Sequence, residues 1–199
     1  PLYDLSNWVS NHVPEQLGLT PEQLPFFQDD RFGHALDQLY RADRAALLFA
    51  LVRNAVRVFQ IDLQQFHNDT TTVTLSGNYD KPPSQGQTVP PRITFGFNKD
   101  HRPDLKQLLF CVTISNDGAV PVHAEIYDGN TSDTQVHIEA WNFLHALTGR
   151  VDFLYVADSK LCTHENMTYI ADQGGRFLTV LPRTRGEVAW FEDQLPQQG

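Results

Sequence analysis

The sequence predicts an α/β chain of α+β character: a mixed sheet of about five strands flanked by helices, preceded by a helical N-terminal region. Three observations carry this expectation. Between residues 65 and 127 apolar and polar side chains alternate with the two-residue period of strands, and Asn116-Asp117-Gly118 supplies a hairpin turn. Between residues 132 and 181 the pattern switches to helix–strand alternation, with a nearly continuous apolar run from Phe153 to Ala157 of the kind that fills a central parallel strand. Before residue 60 the spacing is instead i, i+3, i+4, i+7.

Taken in order, Thr20-Pro21-Glu22-Gln23 reads as a capping box with Pro at the first helical position. Asp29-Asp30 precede a short helix with Phe32, Leu36, Leu39 and Tyr40 on one side. Asp43 caps a longer helix whose apolar face is Leu47, Leu48, Leu51, Val52, Ala55, Val56 and Phe59. The exposed face carries Arg41, Arg44, Arg53 and Arg57. That surface reads either as part of a DNA-binding or regulatory subdomain or as the solvated side of a helical support. A strand from Gln65 to Leu75 puts His67, Asp69, Thr71, Val73 and Leu75 on one face. An aspartate among apolar neighbours is costly unless it is paired or metal-bound.

Gly77 to Pro91 reads as a loop. Ile93, Phe95 and Phe97 alternate as a short strand, followed by a polar turn from Asn98 to Asp104 and an apolar strand from Leu105 to Ile114. The strand returning from the hairpin alternates Val120, Val122, Ala124 and Ile126 with Pro121, His123, Glu125 and Tyr127. Ser132 and Gln135 form a second capping box before a helix with the apolar face Val136, Ala140, Phe143, Leu144 and Leu147, which ends at Gly149. Thr163 caps a helix carrying Met167, Ile170 and Ala171, which Gly174-Gly175 stops before a strand from Arg176 to Leu181. The expected organisation is a helical region over 1–60, a sheet core over 61–183 and a polar tail over 184–199 that completes no further unit. The order β-β-β-α-β-α-β fits an RNase H-like sheet, and right-handed crossovers place the strand before Asp158 beside the strand holding Asp69.

Composition sets bounds on function. The chain has 199 residues, 41% hydrophobic and 20% charged, enough for one good domain with an extension. It has no apolar run of membrane-spanning length and no signal-peptide pattern at its start. It also begins without Met, as a processed chain or a fragment would. Cys111 and Cys162 have neither CxxC nor zinc spacing; Cys111 lies in an apolar strand and reads as a reduced core thiol, with a reducing cytoplasm as the default compartment. The net charge of −9 counts against simple nucleic-acid binding. Local basic groups still occur, one containing Arg92, Lys99, His101, Arg102 and Lys106, the other Arg176, Arg183 and Arg185. No Ser-His-Asp order, P-loop or dinucleotide glycine motif is present.

Several runs carry a family resemblance: His67-Asn68-Asp69-Thr70-Thr71 within Leu63 to Ser76; Gly96-Phe97-Asn98-Lys99-Asp100-His101-Arg102-Pro103-Asp104-Leu105-Lys106-Gln107; Tyr127-Asp128-Gly129-Asn130-Thr131-Ser132-Asp133; and Val156-Ala157-Asp158. With them the chain resembles, over about residues 29–185, the DDE transposases of bacterial insertion sequences, which share an RNase H-like catalytic core. The resemblance implies that Asp69 and Asp158 are the first two catalytic acids and bind Mg²⁺, with Mn²⁺ as a substitute. It implies double-stranded DNA as partner, both transposon ends and target, and a homodimer in the synaptic complex. It further implies a bacterial, cytoplasmic, nucleoid-associated location and no membrane.

In that family a third acid, Glu, lies on a helix beyond the last core strand. Here only Glu187, Glu192 and Asp193 are near, and the family's Tyr, Arg, Glu and Lys context is missing, so a truncated product lacking the third acid is expected. The family's Arg after the second Asp is replaced by Ser159 and Lys160, with Lys160 available to supply the charge. Lys99, His101, Arg102 and Lys106 are candidates for positioning the DNA backbone, against a salt-bridged turn with Asp100 and Asp104. Other readings stay open beside these: a turn-capping role for Asp69, a helix cap for Asp158, turn chemistry for Asp128 and Asp133, and a hydrogen-bonded structural role for His67. Two functional alternatives also stand, a metal-dependent nuclease on the same fold and a non-catalytic remnant that binds DNA or an intact transposase.

Overall fold

A computed structural model of the chain describes residues 4–80, 89–97 and 102–194. The chain divides into two compact units, Pro1–Ala50 and Leu51–Gly199. In the first, α1 (Leu5–Ser10) and short 3-10 helices at Pro14–Leu17 and Pro21–Phe26 precede α2 (Asp29–Arg41). The capping box forms, with the Thr20 N–H donating to Gln23 Oε1 at 2.8 Å. The helix it starts stays 3-10 because Pro25 lies inside it and cannot donate the bond an α-helix needs there. Asp29 and Asp30 fall within the first turn of α2 rather than before it, where a helix N-terminus favours negative charge. Val9 is the buried hydrophobic residue described in this unit. α2 buries none, and Leu36, Leu39 and Tyr40 are exposed. α3 (Arg44–Phe59) begins in the first unit and ends in the second; Asp43 caps it by accepting the Ala46 N–H at 3.0 Å, and of its apolar residues only Val52 is buried.

The second unit is built on a five-stranded mixed sheet of order β3-β2-β1-β4-β5. Its strands are β1 (Gln65–Leu75), β2 (Lys106–Ser115), β3 (Pro121–Asp128), β4 (Leu154–Ala157) and β5 (Arg176–Leu178). β1 pairs antiparallel with β2, and β2 with β3; β1 pairs parallel with β4, and β4 with β5. The parallel strands are joined through α4 (Val136–Thr148) and α5 (His164–Asp172). This is the RNase H-like order expected from the sequence. α4 ends where Gly149 takes φ 65°, a left-handed conformation that suits glycine.

The core lies on one face of the sheet. There Phe66 meets Phe153 edge-on at 5.3 Å, and Trp141 of α4 packs on Phe153 at 5.8 Å. Leu109, Cys111, Tyr155, Leu144, Leu161 and Ile170 complete this layer, all buried. The buried residues of α4 include His137 and Trp141, which the expected apolar face omitted, whereas Phe143 and Leu147 are only half-buried.

Four expectations need correction. Residues 93–97 form no strand; their ladder pairing with β2 is a single bridge from Thr94 to Gln107. Alternation along β3 fails because a bulge opposite Thr113 and Ile114 buries Val122 and His123 in succession and leaves Ala124 and Ile126 exposed. The last strand ends at Leu178, and Val180 is exposed. The tail contains a helix, α6 (Gly186–Gln194), with Glu187 in its first turn paired to Arg185 at 2.9 Å and with Trp190 and Phe191 exposed.

Candidate functional site

The face of the sheet away from the core is open, and both aspartates are on it. Along β1 the even positions Phe66, Asn68 and Thr70 are buried, and the odd positions face outward. Asp69 is therefore exposed rather than held among buried apolar groups, and the desolvation cost anticipated for it does not arise. In β4 the parity is reversed, with Tyr155 and Ala157 buried and Val156 facing outward. Asp158 follows Ala157 and is exposed.

The parallel ladder aligns the two acids. Its last paired positions are Asn68 with Ala157, and the next residues are Asp69 and Asp158. Neighbouring strands run about 4.8 Å apart. Both acids line one groove of about 460 Å³, together with His67, Asn68, Val112, Ile114, Val156 and Ala157. The groove is shallow and mostly aliphatic, and the two carboxylates supply its negative charge.

Local hydrogen bonds orient each acid. Asp69 Oδ1 accepts the Thr70 N–H at 2.8 Å. Asp158 Oδ1 accepts the Lys160 N–H at 2.9 Å, which closes an Asx-type turn. Asp158 is not the cap of the following helix: Thr163 is, through the Asn166 N–H at 3.2 Å. The Thr179 hydroxyl donates to the Asp158 carbonyl and ties the site to the segment after β5. His67 lines the groove but is engaged with neighbours, its Nε2 lying 2.8 Å from Gln65 Nε2 and 3.3 Å from Asn116 Oδ1.

The donor set suits a hard divalent cation, since one or two carboxylates plus water is a common way of holding Mg²⁺. Among the described residues no group of three or more His, Cys, Asp or Glu side chains is placed to hold a metal ion. Glu187, Glu192 and Asp193 all fall within α6 and do not line the groove.

The basic candidates are not gathered at the aspartates. Lys99 and His101 lie outside the described residues. Arg102 is held by Asp104 in a two-point ion pair at 2.7 and 2.8 Å, as the salt-bridged alternative anticipated. Lys106 pairs with Asp80 and sits at the far end of the β1–β2 ladder, opposite Leu75. The six residues from there to Val112, the position opposite Asp69, span about 20 Å of strand. Lys160, exposed and two residues after Asp158, is the described cation nearest in sequence to the pair.

Sequence reasoning missed an anchor beside this sheet. Asp128 accepts the Arg92 N–H at 2.8 Å and pairs with its guanidinium at 2.7 Å, and these bonds hold its carboxyl below the usual range. The Gly129 N–H returns a bond to the Arg92 carbonyl at 3.0 Å. The buried Gln107 amide donates to the Gly129 carbonyl at 2.7 Å and to the Phe97 carbonyl at 3.2 Å. A Cβ on Gly129 would fall 2.0 Å from the Gln107 carbonyl oxygen, so the approach requires glycine. The Tyr127-Asp128-Gly129 run thus straps residues 89–97 onto β2 and β3. The Asp128 carboxylate holds a distant segment rather than capping a local turn, the role expected from the sequence.

No family model matches the chain, and no curated protein matches it. Solved structures do align with it. The Mos1 transposase paired-end complex with the left transposon end aligns at TM-score 0.37 and 13% identity, over 89% of this chain and 56% of that one. The Mos1 mariner paired-end complex with Mn aligns at TM-score 0.36 and 15% identity, over 89% and 57%. The Mos1 strand transfer complex aligns at TM-score 0.35 and 13% identity, over 89% and 56%. The chain spans a little over half the length of these structures.

Proposed function

We propose that the chain carries part of the catalytic core of a DDE transposase, a metal-dependent polynucleotidyl transferase that cuts the ends of an insertion sequence and joins them to target DNA. The observation that carries this reading is the register of β1 and β4, which makes Asp69 and Asp158 adjacent on the open face of two central strands. On this reading Asp69 and Asp158 hold Mg²⁺ or Mn²⁺ through oxygen donors. The bound cation supplies Lewis-acid stabilisation of phosphate charge and lowers the pKa of bound water. The chain's own residues do the rest. The Thr70 and Lys160 N–H groups fix one oxygen of each carboxylate. The open face lets a DNA backbone approach, and the Lys160 ammonium, where the family has Arg, pairs with phosphate. DNA ends and target DNA are the partners, a homodimer is the working form, and a bacterial cytoplasm, at the nucleoid, is the location. The proposed domain limits are a helical region over 1–60, an incomplete core over 61–183, and a truncated tail or the start of an inserted segment over 184–199.

The net charge of −9, and the absence of a third acid at the groove among the described residues, favour a second reading, a non-catalytic remnant that binds DNA or an intact transposase. Incubating the purified chain and its Asp69→Asn and Asp158→Asn variants with Mn²⁺, supercoiled plasmid and a 3′-OH-ended duplex oligonucleotide separates these readings. Joining of the oligonucleotide to plasmid by the unaltered chain alone supports the transposase. Nicking without joining supports a nuclease. Plasmid retention without metal-dependent chemistry supports the remnant.

A further inference from the structure

We infer that Asn68 is the positioning residue of the Asp69–Asp158 pair: its buried amide locks the register of β1, and so decides which residue of β1 stands beside Asp158. This rests on the proposed role of the two aspartates. Asn68 precedes Asp69, is 5% exposed, and faces the core. Its Nδ2 donates to Thr113 Oγ1 at 2.8 Å and to Cys111 Sγ at 3.1 Å, both on the buried face of β2. Its Oδ1 is buried with no hydrogen-bond partner among the described residues. An aliphatic side chain would avoid that unmet acceptor, so Asn at this position is poorly explained by stability alone.

The rest of β1 explains what the amide contributes. After Asp69 the strand reads Thr70-Thr71-Thr72-Val73-Thr74, with threonine on both faces. Register is well specified only where a hydrophobic pattern distinguishes positions, and a run of threonines does not. A slip by two residues preserves every face and, in the second half of the strand, exchanges Thr70 for Thr72 and Thr72 for Thr74. It would carry Asp69 about 6.6 Å along the sheet and out of line with Asp158. Phe66, against Phe153, and Asn68, against Thr113 and Cys111, are the buried features that resist it. Of the two, only Asn68 makes directional bonds, and it lies one residue from the acid. Its partners are also specific in kind: burial pushes the Cys111 thiol above its ordinary pKa, so it stays a neutral thiol beside the amide.

The test is Asn68→Val, with Thr113→Val as a milder variant and Thr113→Ser as the conservative control. Two readouts are taken on each: cross-strand backbone NOEs that report β1 register, and Mn²⁺ affinity by electron paramagnetic resonance. The unaltered chain and Thr113→Ser are expected to give one register, with Asn68 opposite position 113. Asn68→Val is expected to melt no lower, to show doubled or exchange-broadened β1 amides, and to bind Mn²⁺ at least about tenfold more weakly. A single unshifted register in Asn68→Val, or in Thr113→Val should the first variant not fold, overturns the inference. If the unaltered chain binds no Mn²⁺, the reading of the aspartates as a metal site fails, and the NOEs still decide the role of Asn68.

Discussion

On the covered face of the sheet, Phe66 is completely buried and meets Phe153 at 5.3 Å; on the open face, three residues along the same strand, Asp69 is exposed in a shallow groove. The covered face is packed by α4 and α5 and excludes unpaired charge. The same open face carries Val73, Ile126 and Leu178, each more than a third exposed. One strand can therefore serve stability and chemistry at once, because its side chains alternate. Truncating the large apolar side chains of the covered face should unfold the unit, and substitutions on the open face should change binding with little effect on folding.

The largest expected effect tests the covered face. Trp141→Ala should cost about 3–5 kcal/mol in urea unfolding, because the indole is fully buried against Phe153. A loss below about 1 kcal/mol would mean that this face is not the core. Next is Gly129→Ala, where the added methyl meets the Gln107 and Thr94 carbonyls at 2.0 and 2.6 Å. It should cost about 1–3 kcal/mol and free residues 89–97, read as faster amide exchange at Thr94 and Gln107.

A smaller effect is expected at His123. Burial beside Phe143 lowers its pKa from 6.5, so the folded state holds it neutral while the unfolded state takes up a proton first. The stability this represents is present above pH 6.5 and is lost as the pH falls through the lower folded value. His123→Leu should flatten the fall in urea stability between about pH 7 and pH 5; an unchanged slope would assign it to other groups. The smallest effect belongs to the open face: Leu178→Ala, at a side chain 57% exposed, should change stability by no more than about 0.5 kcal/mol. A change several times larger would show that something covers this face in solution.

The alignment of Asp69 with Asp158 was legible because it depends on element order and crossover hand, both visible as patterns in the chain. Which face of β1 is covered was not legible, because threonine occupies both faces. The bulge at Val122 was hidden for a related reason: a run of alternating residues gives no sign of an extra one until its partner strand is known. Arg92 and Asp128 lie 36 residues apart, and no local spacing announces that pair. Trp141 could have been found, since His137, Trp141 and Leu144 themselves follow i, i+4, i+7. The helix α6 was passed over because its aromatic residues stay exposed and give it no buried stripe.

The central claim, that Asp69 and Asp158 act together on one cation, is tested most directly by Mn²⁺ titration of the unaltered chain and of Asp69→Asn and Asp158→Asn, followed by electron paramagnetic resonance. The expected result is saturable binding to the unaltered chain, weakened by more than about tenfold in each single variant, with urea stability changed by no more than about 0.5 kcal/mol. Equal Mn²⁺ affinity in all three proteins, or loss of affinity in only one variant, would contradict a shared site.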